Sequence, residues 1–593
     1  MKTRFTYEHL LFVLALILAV GVRFWNLGAA PLIDSEARLA SQALDLSRGE
    51  ALALGAHPAY LVLLAALFGV VEASNGLARL FPALAGSLVV LLPFFFKNRG
   101  INRNASLLLA YGLALDPGLV TLSRQAGSII PAVVFGLLAL GAIYTRRPIL
   151  AGVFGGLALL SGPGILAGAV GLATAFGLAK LLEKAEWLAP LWLDETPAPP
   201  LWREQNQLKA ALLSGGIVFL VAGVFFFRYP QGLAALANTL STYLTGWTQL
   251  PSIPPMRLIV AIAVYQPMAL IFGLIGAVRA WVRPEPVAQR LSLWLVTALL
   301  LAVLYPARQV SDLAWALIPL WALAALEITR LVAIAASDRP LAWIAGIQAG
   351  FLFIMAIVLR INLLAWQNLQ LEVPTLGLLL AGILLVVVIA TVLVAVSWSL
   401  SLARAGVIWG ISASLLVGQI SAMWGAAQLR QNSAAELWTP APGAGQTQLL
   451  VQTLEALSEW ETGYPDQIEV MVASSTEQPA LRWALRNYPL RFVGQLSKED
   501  QPVVVITTQD QTDLSLAASY RGQDFTAWES PGWEGALPPD WLSWLSFRQA
   551  PLAKSNLILW ARVDLFPDGV LTTQEGQPST APEEQLPAND SQP

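Results

Sequence analysis

The feature that most constrains this chain is a train of apolar runs in its first 430 residues. They lie near 9–27, 79–96, 105–122, 127–145, 149–162, 164–182, 210–227, 257–279, 291–306, 313–330, 340–358, 374–397 and 405–427. Most are about 16 to 24 residues long, close to the roughly 20 that a helix needs to cross a bilayer. Inside hydrocarbon every backbone polar group must be satisfied within the protein, and runs of this length do so as helices. The expected fold class is a polytopic all-α membrane protein of about thirteen transmembrane helices with a small extracytoplasmic α/β domain at the C-terminal end. Composition agrees, with 56% hydrophobic and 12% charged residues where soluble domains carry roughly 25% charged. Lys2 and Arg4 precede the first run as in a signal peptide, but Arg23-Phe24-Trp25 is no small-residue cleavage site, so the helix is retained.

Charge divides the chain. Residues 1–430 hold 27 Lys+Arg against 17 Asp+Glu, and residues 431–593 hold 8 against 21. The near-neutral total of -3 is therefore a cancellation between a basic membrane part and an acidic remainder. Three regions follow: a transmembrane domain over 1–430 with a long loop at 28–78, a soluble α/β domain over 431–569, and an acidic Pro/Gln/Ser-rich tail over 570–593 whose composition predicts disorder. In the soluble part, 449–460 and 479–488 read as helices, and 468–472, 502–506 and 556–563 as strands. Trp528, Trp533, Trp541 and Trp544 read as packing residues more than as sugar-stacking platforms.

Lysine and arginine placement sets the orientation. The apolar segment 58–73 is short for a span, and if it lies on the surface, 17 of the 27 basic residues fall in loops on the side of Lys2. If it crosses, that face keeps only about nine, against the positive-inside rule. The N-terminus is then expected in the cytoplasm and the C-terminal domain outside the cell membrane. The stretch 183–207, with Thr196-Pro197-Ala198-Pro199-Pro200 and the interfacial Trp187, Trp192 and Trp202, becomes a cytoplasmic linker.

Chemistry is bounded by what is missing. With no cysteine and only His9 and His57, thiol nucleophiles, Cys-ligated zinc, iron–sulfur clusters and multi-His cages are excluded. Carboxylates, arginines and hydroxyls remain. On the outer side, Asp34 and Glu36 open a predicted helix over 35–46. They read either as an N-cap with a first-turn acid or as a carboxylate pair placed to deprotonate an acceptor hydroxyl or hold a divalent cation. Asp116 lies within the third run, where an ionised, unpaired acid costs several kcal/mol, and so either pairs with another span or lines a cavity. Ser161-Gly162-Pro163-Gly164 lacks the strand before and Lys-Ser/Thr after that a phosphate-binding loop requires, and reads as a turn. Gly152/Gly156 and Gly164/Gly168 read as helix packing.

The order Arg23-x-x-x-Leu27-Gly28-x-x-Pro31-Leu32 followed by acids, then His57-Pro58, then Arg79-Leu80-Phe81-Pro82, then Leu122-Ser123-Arg124, resembles the GT-C membrane glycosyltransferases over roughly 23–330. It is most similar to the protein O-mannosyltransferase and aminoarabinose-transferase branch, whose members take a sugar from a polyprenyl-phosphate carrier on the outer leaflet. The resemblance implies a base at the Asp of an Asp-Glu-Ala triplet. Here Ser35 holds that position ahead of Glu36-Ala37, so Asp34 supplies the carboxylate after a one-residue shift, or the chain is a silent member. It implies substrate-binding roles for His57, Arg79, Asp116 and Arg124. It also implies them for the cluster Tyr305, Arg308, Gln309 and Asp312, where Arg308 is the candidate phosphate contact because a guanidinium forks onto phosphate oxygens. Arg308 reads equally as a loop arginine paired with Asp312. Gln266-Pro267 reads as a kink.

The implied partners are a polyprenyl-phosphate-linked sugar, the lipid bilayer and a glycan, lipid or protein acceptor, with no nucleic acid. No cofactor is required for a monophosphate donor; a diphosphate donor favours a divalent cation at Asp34 and Glu36. Transport of lipid-linked sugars is the rival reading, and it predicts internal repeats, which the sequence lacks.

Overall fold

The computed structural model describes residues 7–50, 54–96, 101–189, 205–251, 253–334, 336–369, 373–430, 434–438, 443–473, 478–497, 501–508, 516 and 518–566. The tail 570–593, the TPAPP linker and Trp192, Trp202, Lys97 and Arg99 lie outside the described residues. Contacts divide the chain into two compact units. One comprises 1–448 with 478–484 and 526–555; the other comprises 449–477, 485–525 and 556–593.

The first unit is a multi-pass helical membrane body. Among the described residues, eight helices are long and apolar enough to cross a bilayer, and two bent pairs raise the number to ten. The pairs are Arg103–Leu115 with Pro117–Ser123, bent by 53°, and Pro255–Tyr265 with Pro267–Val282, bent by 101°. The runs expected at 79–96, 127–145 and 149–162 form shorter apolar helices, Leu80–Phe96, Ile130–Tyr144 and Pro148–Leu159. Length alone therefore supports ten spans of the thirteen. Pro58–Phe68 has 11 residues, a rise of about 16 Å at 1.5 Å per residue, roughly half a hydrocarbon core.

Val310–Leu331 is the axis of the unit, with 83% of its apolar window buried. Pro374–Ser397, by contrast, buries none of its window. Small residues let the axis pack closely: a Cβ on Gly112 would meet the Trp321 ring, so the bent third span lies directly against it.

The second unit is the small α/β domain. Val470–Ala473 pairs in parallel with both Leu490–Val493 and Val504–Thr508, aligning Val470 with Leu490 and with Val504. Val504–Thr508 pairs antiparallel with Leu552–Arg562, aligning Val504 with Ala561. Val470–Ala473 is buried throughout, which explains its unbroken apolar run, as for a strand covered on both faces. The helix expected over 479–488 is shorter, Pro479–Ala484, and its residues belong to the first unit.

Candidate functional site at the first-loop side

The first loop is built around one ion pair. Glu36 lies in the first turn of Asp34–Arg48 and is 2% exposed. Arg79 donates to it from Nε (2.8 Å to Oε1) and Nη2 (2.6 Å to Oε2). The backbone N–H groups of Ala126 and Ile33 donate to the same two oxygens at 2.7 and 3.2 Å. A carboxylate offers about four acceptor positions, and all of Glu36's are taken. The remaining Arg79 hydrogens go to the carbonyls of Leu27, Ala30 and Pro31. Arg79 thus fastens the irregular connection 27–31 to the helix that follows. These residues do not fit a bound cation: Glu36 has no lone pair to give, and a guanidinium already sits against it. Among the described residues no group of three or more His, Cys, Asp or Glu comes together as a metal site.

Asp34, half-buried, is placed differently. Its Oδ1 accepts the Ala480 N–H at 2.9 Å. Beside it, Trp483 donates to Asn75 at 2.8 Å and packs on Phe68 with ring centroids 5.9 Å apart. Ser35 is exposed.

Asp116 and Arg124 are both structural. Pro117 has no N–H, so the break after Asp116 leaves the Leu113 carbonyl without its helical donor, and the turn carries the next N–H away from Ala114. Arg23, fully buried, fills both places, donating to Ala114 O at 3.0 Å and Leu113 O at 3.3 Å, and to Ser123 Oγ at 3.1 Å. Asp116 caps the second half of the span, accepting Leu119 N–H at 2.8 Å and Trp321 Nε1–H at 2.8 Å. Through Trp321 it is bonded to another span. Arg124 closes helix ends in the same way, donating to the carbonyls of Arg23, Trp25 and Ala427.

The second expected cluster divides. Arg308, 8% exposed, donates to the carbonyls of Val303 (3.1 Å) and Ile253 (3.0 Å). The Gln309 N–H donates to Asp312 Oδ2 at 2.9 Å, a reciprocal cap on the short turn Val310–Leu313. Tyr305 and Asp312 line a partly open cavity together with Tyr243, Trp294 and Trp315. Tyr305 stacks on Tyr243 with centroids 5.5 Å apart, and Trp315 donates to Gly164 O at 3.0 Å.

A second cavity of about 790 Å³ is almost wholly apolar, with Leu84, Leu88, Phe81 and Phe135 beside His57 and Tyr60. His57 Nδ1 lies 3.2 Å from Ser161 O, and burial pushes its imidazole below the ordinary value against the raising effect of that carbonyl. Gly162, at φ +101, passes so close that a Cβ there would strike the His57 ring. The turn set aside in the sequence is thus a shared wall: Ser161 lines the apolar cavity, and Pro163 and Gly164 line the aromatic one. Neither cavity is lined by Arg308, Asp34 or Glu36.

No family model matches the chain, and no curated protein matches its sequence. Solved structures do match in shape. ArnT from Cupriavidus metallidurans bound to undecaprenyl phosphate superposes over 94% of this chain and 98% of that one, with a TM-score of 0.54 at 15% identity. The chain has the GT-C fold. The apo form of the same GT-C protein gives 0.49 over 85% and 94% at 15% identity, and the apo oligosaccharyltransferase of Archaeoglobus fulgidus gives 0.43 over 83% and 65% at 12% identity. The fold assignment rests on the first. Sequence reasoning about this GT-C chain overlooked Tyr60, Tyr243 and Trp315, and read Ser161 only as part of a turn. Each carries a hydroxyl or indole N–H, and such groups must find partners when buried.

Proposed function

We propose that the chain transfers a sugar from a polyprenyl-phosphate donor to an acceptor on the outer face of the membrane. The observation that carries this is the fold, shared over nearly the full length of both chains with a protein crystallised with undecaprenyl phosphate. The apolar cavity beside the first loop supports it, offering an isoprenoid tail a wall of Leu, Phe and Tyr. The basic excess in the loops opposite the first loop supports the orientation.

In the reaction, the acceptor oxygen attacks the anomeric carbon, the bond from that carbon to the phosphate oxygen breaks with its electron pair going to the phosphate, and the acceptor's proton passes to a carboxylate. Asp34 is that base, because Glu36 has no acceptor position left. Glu36 and Arg79 hold the loop that carries Asp34.

A second reading has its own support. Asp34 already accepts a backbone N–H, as in a GT-C-like scaffold that binds lipid-linked sugars without transferring them.

The test is release of polyprenyl phosphate from a lipid-linked sugar by the full chain in lipid nanodiscs, comparing wild type with Asp34→Asn. The transfer reading expects turnover in wild type and a loss of at least about a hundredfold in the variant, with lipid-phosphate binding retained. Equal turnover in both removes Asp34 from the chemistry. Binding without turnover in wild type establishes the scaffold.

A further inference from the structure

The aromatic cavity differs from everything else on the first-loop side in the kind of group it can receive. Four of its lining residues are aromatic, Tyr243, Trp294, Tyr305 and Trp315. The Tyr305 hydroxyl is spent on Tyr243 O at 3.1 Å and the Trp315 indole N–H on Gly164 O, so these two side chains meet the cavity mainly as carbon surface. Gly164, Gly168 and Gly171 also line it, and Gly168 lets the Trp315 ring lie directly against the backbone. Among the described residues Asp312 is the only charged one of the lining, and none of them is Lys, Arg or His. One hydrogen bond, from the Gln309 N–H, occupies one acceptor position of its carboxylate; a carboxylate has about four.

A phosphate is therefore a poor occupant. It would enter beside a like charge with no lining cation to offset it, in a setting where water screens little. A saturated ring carrying several hydroxyls fits instead. Its C–H faces lie against the aromatic rings, and adjacent hydroxyls donate to the open positions of the carboxylate.

We infer that the cavity lined by Tyr243, Trp294, Tyr305, Trp315 and Asp312 is a site for a neutral, polyhydroxylated sugar ring, and that it excludes the phosphate. This deepens the proposed transfer and rests on it for the source of the ring: the sugar of the donor is held here, and the lipid phosphate lies outside. Asp312 is a positioning residue in this scheme, not the base.

The experiment uses the full chain in lipid nanodiscs and saturation-transfer NMR with methyl glycopyranosides of the gluco, galacto and manno series. Wild type is expected to transfer saturation to ring protons of at least one probe. Asp312→Asn, which keeps the shape and removes the charge, weakens that binding by roughly tenfold or more, the worth of one charge-assisted hydrogen bond. Ala298→Phe, which fills the cavity from a helix face, abolishes it, and an unchanged melting curve for both variants shows that they fold. Inorganic phosphate at the same concentration does not compete. The inference is overturned if no probe binds, if phosphate displaces the probe, or if binding is the same in Asp312→Asn as in wild type. These readouts need no turnover. A chain that binds sugar here but never releases polyprenyl phosphate keeps the site and loses the transfer.

Discussion

Arg79 and Arg23 do the same work in opposite surroundings. Arg79 stands where the chain leaves its first helix for an irregular loop, and divides its hydrogens between a carboxylate and the carbonyls of Leu27, Ala30 and Pro31. Arg23 stands inside the helical body, and divides its hydrogens between a serine and the carbonyls orphaned at the Asp116-Pro117 break. The difference lies in the counter-charge. Glu36 touches Arg79 at 2.6 Å, whereas Asp116 faces its own capped N–H and the Trp321 indole. In both places charge serves first to satisfy backbone that helices have given up. The groups with acceptor capacity to spare are therefore elsewhere, at Asp34 and at Asp312.

Substitutions can break this comparison. Arg23→Met should have the largest effect, because it strands two buried carbonyls and removes the cation near Asp116. A loss of about 3–5 kcal/mol is expected for an uncompensated buried group of this kind, read as absent monodisperse protein or a lowered melting temperature in detergent. A melting temperature within a degree of wild type would show that water reaches the break. Glu36→Gln should cost less, about 2 kcal/mol, since the amide oxygen still accepts one of the donors. Pairing Glu36→Leu with Arg79→Met should restore part of that loss, and a double variant worse than either single one would contradict the clamp. Asp116→Asn should cost about 1–2 kcal/mol, because asparagine still caps the Leu119 N–H but turns its amide NH2 toward the buried Trp321 N–H. A cost as large as that of Arg23→Met would mean that the Asp116 charge, not its cap, holds the joint.

The smallest effect concerns pH. Burial depresses the His57 imidazole, so between its folded value and the unfolded value of about 6.5 the unfolded chain binds more protons and stability falls as pH falls. Above about pH 6.5 His57 contributes no slope. His57→Phe should flatten the melting-temperature profile below that pH, and an unchanged slope would place the titration elsewhere.

The fold was legible because span length is a physical requirement of the bilayer, and ten of the thirteen runs are helices or bent pairs long enough to cross it, the other three being shorter apolar helices. Pro267 marked one of the two bends; the bend at Pro117 was not read from the sequence. The roles of the arginines were not legible. Arg79, Arg124 and Arg308 bind mainly backbone carbonyls, and a carbonyl leaves no trace in a sequence. A paired residue type was readable only for Asp116, whose cost in hydrocarbon demanded a partner. The Ser161–Gly164 turn was set aside for lacking a phosphate loop's flanks, yet its residues line both cavities.

The proposed transfer depends most directly on where the lipid binds. A photoreactive polyprenyl phosphate, cross-linked to the full chain in nanodiscs and mapped by mass spectrometry, should label the walls of the apolar cavity at Leu84, Leu88 or Phe135. Competition by unlabelled undecaprenyl phosphate should remove the label. Labelling confined to bilayer-facing helices such as Pro374–Ser397, or labelling that undecaprenyl phosphate does not displace, would contradict it.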